Sequence, residues 1–268
     1  MGTIGYSYGS EWHLLRLLGY HRDDLDRRIE EVVPGGRILR WLPARYETDA
    51  ARVDRPPLSP VFEPRSGKFI HPPRLLDAEL EGIGFLPDET PPGVRQAWAD
   101  YWPRRGKQQH WDAVGRIDVG GEVYWLLVEA KSHLKEVASE CKASERGGRS
   151  KIREAFRSTA AHMGVEAEAE LWMAPYYQYA NRLAVLSFLI GHGVKAKLLF
   201  IYFLGDRFPE GRAEICPETE QGWASQLDAM ERRIGWAPHN PLAPHVHKLF
   251  LPVCPPPSES TPRHGESL

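Results

Sequence analysis

Residues 109–131, QHWDAVGRIDVGGEVYWLLVEAK, constrain this 268-residue chain more tightly than any other stretch. Two runs rich in β-branched and aromatic residues flank Gly120-Gly121. Gly-Gly supplies the positive φ that a two-residue type I′ hairpin turn needs at both central positions. With those glycines as the loop, Val119 opposes Glu122, and the same register carried down the ladder sets Asp112 opposite Glu129. Directly opposed side chains share a face, with Cβ atoms about 5 Å apart. Lys131, two residues past Glu129, falls on that face too. Two carboxylates and a lysine therefore converge at one end of an otherwise apolar hairpin. Buried charge is costly unless it is paired or bound to a metal. The arrangement calls for a divalent cation, with an ion pair at a sheet end as the plainer alternative.

The tripeptide Glu129-Ala130-Lys131 is weak on its own. Scattering 36 acids and nine lysines over the chain gives about one acid-x-Lys match by chance. A second match, Glu140/Lys142, lies in a polar stretch with no strand before it. Only the first has a strand and a partner Asp in register.

The rest of the chain reads as an ordinary globular protein, 42% hydrophobic and 26% charged. A single domain over 1–254 is expected. A proline-rich arm at about 54–73 carries six prolines, and from Pro255 a Pro, Ser and Glu composition predicts a disordered tail. A net charge of −2 excludes a globally basic protein, so nucleic acid must be met by a local patch. Cys141, Cys216 and Cys254 form no CxxC, which argues against a disulfide framework or zinc ribbon and fits a reducing cytoplasm. No charged-then-apolar leader and no apolar run of membrane length is present, so no membrane partner is expected.

Periodicity predicts a helix over 10–32, with Ser10 as N-cap and Glu11, Leu14, Leu15 and Leu18 on one face. Glu11 is either a first-turn acid complementing the helix dipole or a third carboxylate for the hairpin site. A strand is predicted at 36–43, short helices at 74–86 and 94–102, a helix at 175–192, a buried strand at 195–206, a helix at 218–235 and an extended segment at 246–253. Arg104, Arg105 and Lys107, just before the hairpin, are a solvated charge run or a phosphate-contacting loop. Between 131 and 157 eight Lys/Arg face four Glu, with Gly147-Gly148 marking a mobile loop; this segment is a phosphate track or a solvated helix face. Gln178, Asn181 and Arg182 share one face of the 175–192 helix. The Gly5-Tyr6-Ser7-Tyr8-Gly9 run lacks the strand a nucleophile elbow must follow. His245 and His247 have no visible third ligand.

Asp112 followed by Glu129-Ala130-Lys131 at the end of an apolar strand resembles the signature of the PD-(D/E)XK nuclease superfamily. SEWHLL, WDAVGRI, VEAK and YYQYANRL together look like an uncharacterised bacterial family within it. Trp111 stands where a Pro often precedes the Asp. The resemblance covers about Glu11 to Asp206. It implies an α/β, restriction-endonuclease-like αβββαβ core: a mixed sheet flanked by helices, with extra N- and C-terminal elements. It also implies Mg²⁺, or Mn²⁺, on Asp112, Glu129, the Ala130 carbonyl and Glu11, with Lys131 catalytic beside them. Gln178 would approach the site or the scissile phosphate. Arg182, where related nucleases carry Tyr, would do the same, with Arg104, Arg105 and Lys107 as further nucleic-acid contacts. The expected function is a metal-dependent nuclease, acting on DNA rather than RNA. The alternative is a non-catalytic DNA-binding or assembly module that keeps the fold. A homodimer or a larger defence or repair complex are the assemblies to look for.

Overall fold

In the computed structural model the described residues are 8–42, 44–45, 52–53, 61–63, 68–70, 80–87, 90–104, 108–166, 168–208 and 214–253. Five strands form one sheet: β1 (Gly36–Trp41), β2 (Ala113–Val119), β3 (Glu122–Lys131), β4 (Ala196–Leu204) and β5 (Val246–Pro252). They lie side by side in chain order. β2 runs antiparallel to both β1 and β3, and β4 and β5 continue parallel to β3. The molecule is thus an α/β protein with a five-stranded mixed sheet flanked by helices.

The hairpin forms where the glycines place it. Gly120 and Gly121 have φ of 63° and 87°, and the ladder runs from Val119↔Glu122 to Ala113↔Val128. The register is the expected one; the strand stops one residue sooner. Asp112 is a bend, and His110–Trp111 pair instead with Leu80–Glu81.

Alternation along β3 divides the core. Leu126, Val128 and Ala130 face one side, with Leu199 and Ile201 of β4. That side is covered by α1 (Ser10–Tyr20) and α2 (Arg22–Val32), which bury Leu14, Leu17, Leu18, Leu25 and Ile29. Trp125 and Leu127 face the other side. There, α3 (Val94–Tyr101), α4 (Arg149–Met163), α5 (Ala169–Met173), α6 (Tyr177–Gly191) and α7 (Glu220–Ile234) supply an aromatic-rich layer. Fully burying one Leu or Phe contributes about 1.5–3 kcal/mol, so both layers hold the sheet firmly.

Several expectations change. The single helix over 10–32 is two helices, broken at His21, whose ψ of 34° leaves the helical region; Arg22 Nε donates to Leu18 O across the break. Ser10 is the first helical residue and Gly9 the N-cap; the Ser10 hydroxyl is used elsewhere. Residues 80–86 are a short strand and turns, not helix, because Gly82 takes φ of 52° and no Cβ fits there, 2.3 Å from the Gln108 side chain. Residues 74–79 of that prediction lie outside the described residues, as do most of the 54–73 arm, the 255–268 tail and residues 5–7. Of the arm, 61–63 and 68–70 pair as an antiparallel ladder. Gly148 caps α4 at φ of 106°, with its α-carbon against Pro103. No helix among the described residues is long and apolar enough to cross a membrane.

Candidate functional site

Glu129 and Lys131 sit at the carboxyl end of β3, on the aromatic face, paired in register with Phe200 and Tyr202 of β4. The Glu129 side chain is 1% exposed. An ionised carboxylate offers about four acceptor positions, and three donors occupy them here. Oε1 accepts from Lys131 Nζ and from Gln178 Nε2 at 2.7 Å. Oε2 accepts from Arg182 Nε at 2.7 Å, and Arg182 Nη2 lies 2.6 Å from the same oxygen as an ion-pair contact. Burial pushes the Glu129 pKa up, but the Arg182 and Lys131 charges outweigh it and hold the carboxyl below its ordinary range. Burial likewise disfavours the Lys131 ammonium, and Glu129, Asp112 and Glu136 overcome it, so that its pKa is raised.

Arg182 is itself fixed. Nη1 donates to Asn181 Oδ1 at 2.8 Å, Nη2 to the His110 carbonyl, and the guanidinium lies 4.9 Å from the Trp111 ring centroid. It lies beneath Glu129, away from the open side; Gln178 reaches that side.

Asp112 reaches the site by a different route from the one its register suggests. Its amide donates to Val128 O at 3.1 Å, and its Oδ2 accepts from Ala130 N at 2.6 Å. The carboxylate thus takes over the backbone bond that β2 abandons when it bends.

These groups open onto one polar cavity of about 370 Å³. Its lining includes Glu11, Asp112, Glu129, Ala130, Lys131, His133, Glu136 and Gln178. The hairpin end and the first helix therefore meet at this cavity, which Asp112, Glu129, Lys131 and Glu11 all line. Among the described residues, four carboxylates and one lysine line the space, with Arg182 below Glu129. Among the described residues, no three His, Cys, Asp or Glu side chains lie close enough to hold a metal as they stand.

Two acids that place the first helix were missed in the sequence. Glu136 accepts from Ser10 Oγ at 3.1 Å and from Ser132 N at 2.6 Å. Asp206, just past β4, accepts from Gly9 N at 2.9 Å and His13 Nε2 at 2.8 Å. Burial raises the Asp206 pKa, yet the His13 and Gly9 bonds bring it below its ordinary value. Together they clamp the first turn of α1, and so Glu11, to the cavity. Asp206 had a readable signal: an acid just beyond the carboxyl end of a parallel strand, where open α/β sheets bind ligands. Glu136 had none beyond its charge.

Among the described residues, Arg104 and the basic side chains between 135 and 157 do not line the cavity. Arg104 donates to Ala99 O and Asp100 at the end of α3, outside the cavity lining. Arg105 and Lys107 lie outside the described residues. In the 131–157 segment Arg149 and Arg153 pair with Glu145 and Glu170, Arg157 with Glu154, and Lys135 with Glu214. Four of the basic side chains in that segment are thus paired, with Glu145 and Glu154 inside it and with Glu170 and Glu214 outside it. Comparison with family models, curated proteins and solved structures finds no match.

Proposed function

We propose that this chain is a metal-dependent phosphodiesterase acting on nucleic acid, DNA before RNA, built on a restriction-endonuclease-like core. The observation that carries the reading is the carboxylate-lined cavity at the hairpin end, where Asp112, Glu129, Lys131 and Glu11 converge. All-oxygen donors fit a hard cation such as Mg²⁺ or Mn²⁺ and do not fit a zinc site. Asp112, the Ala130 carbonyl, Glu11 and Glu129 are the residues that would hold it. Such a cation would polarise a phosphate and lower the pKa of a bound water.

The chain's own residues define the remaining roles. Lys131 stays an ammonium among Glu129, Asp112 and Glu136, so it offers positive charge to a phosphate oxygen and orients water, and does not take a proton. Gln178 fixes the cavity-side oxygen of Glu129. Glu136 and Asp206 hold α1 so that Glu11 faces the same space.

One observation favours a second reading. Both oxygens of Glu129 accept hydrogen bonds from within the protein, which suits a non-catalytic DNA-binding or assembly module whose ion cluster is structural. One experiment separates the two. Purified protein is incubated with linear and circular, single- and double-stranded DNA and Mg²⁺ or Mn²⁺, beside Glu129→Ala. Cleavage by the wild type, lost in the variant, supports the enzyme. Absence of cleavage, together with no cation-induced rise in Tm, supports the module.

A further inference from the structure

We propose that Arg182 is a resident counter-cation that keeps the affinity of this site for divalent cations low. The proposal rests on the metal-dependent reading above and concerns how that site is regulated. Arg182 is 3% exposed and does not line the cavity, so it has no route to a phosphate. All its nitrogens are engaged: Nε donates to Glu129 Oε2, Nη1 to Asn181, and Nη2 to the His110 carbonyl while lying 2.6 Å from the same Glu129 oxygen. Trp111 and the His110 carbonyl hold the guanidinium in place. It is therefore a fixed charge and not a gate.

A cation entering from the cavity meets the other oxygen, Oε1, which Lys131 and Gln178 occupy, and both of these line the open side. Entry costs at least one of those bonds, and the carboxylate it reaches is already neutralised from behind. Coulomb repulsion between a dication and a buried guanidinium about 5 Å away is poorly screened in such a place. Added negative charge, which a bound phosphodiester brings, then favours filling of the cavity. Arg182 in this way couples cation uptake to substrate arrival.

The test is Mn²⁺ binding by the full chain, followed by isothermal titration and by the Mn²⁺-dependent rise in Tm, for wild type, Arg182→Gln, Arg182→Lys and Arg182→Gln/Glu129→Gln. The expected result is about tenfold tighter binding in Arg182→Gln. Arg182→Lys should stay close to wild type, and the gain should vanish in the double variant. A guanidinium that serves only to orient Glu129 gives the opposite: binding weakens in both single variants. Should Arg182→Gln not fold, Arg182→Lys decides, since retained affinity supports a charge role and a large loss overturns it. Wild-type binding with no gain in Arg182→Gln overturns the counter-cation alone. No Mn²⁺ binding in the wild type or any variant overturns the metal reading along with it.

Discussion

Strand β3 carries a glutamate ion pair at each end, and the two behave in opposite ways. At the turn, Glu122 pairs with Lys195, with side chains 53% and 51% exposed. At the far end, Glu129 pairs with Arg182, at 1% and 4%. The residue types are nearly the same and the strand is the same; only burial differs. An exposed pair gains little, because water screens it and ordering two long side chains costs entropy. A buried pair must repay desolvation with excellent geometry, and removing one partner strands a charge in the interior. Glu129 meets that demand with donors at both oxygens. A protein that needed only a stable sheet end would be served as well by apolar residues there, so the charge at the cavity is the part that calls for a function.

Glu129→Ala should break the comparison most visibly. It leaves Lys131 and Arg182 buried without their carboxylate, and a loss of about 3–5 kcal/mol is expected in urea unfolding. An effect below about 1 kcal/mol would mean that the buried cluster is looser than its geometry. Asp206→Ala comes next. It removes the acceptor for Gly9 N and His13, with an expected cost of about 2 kcal/mol, and faster amide exchange confined to the first turn of α1 is the accompanying signature. Unchanged exchange there would remove Asp206 as the clamp on Glu11.

Acid sharpens the comparison further. The folded Glu129 carboxyl is held below its ordinary value of 4.5, so as pH falls the unfolded chain takes up the proton first. Stability present at neutral pH is then lost as pH drops through 4.5 and below. Melting curves between pH 7 and pH 3 should fall less steeply in Glu129→Gln than in the wild type; parallel curves would contradict the assignment. At the other end, Glu122→Ala should leave the melting temperature unmoved.

How much of this was legible in the sequence depends on how local each determinant is. The hairpin register follows from two glycines and the alternation beside them, and it holds from Val119 to Ala113. The bend at Asp112 could not be read that way, because it comes from a side chain replacing a backbone partner at Ala130 and from Trp111 pairing with Leu80. Glu11 was legible as an acid heading an apolar stripe, but the residues that aim it, Glu136 and Asp206, act across 126 and 197 positions. Arg182 was recognised as a polar residue on an apolar helix. Its place beneath Glu129 depends on how α6 packs on the sheet, which spacing does not encode. The pairing of the basic run after Lys131 was hidden for the same reason: Glu170, which neutralises part of it, lies on α5, outside that run.

The central claim is that the hairpin end is a phosphodiesterase site with Lys131 as its positive group. Its most direct test compares wild type and Lys131→Ala on linear and circular double-stranded DNA in Mg²⁺ and in Mn²⁺, with circular dichroism run on both proteins. The account predicts cleavage by the wild type and none by a folded Lys131→Ala. Cleavage retained at the wild-type rate in that variant would contradict it.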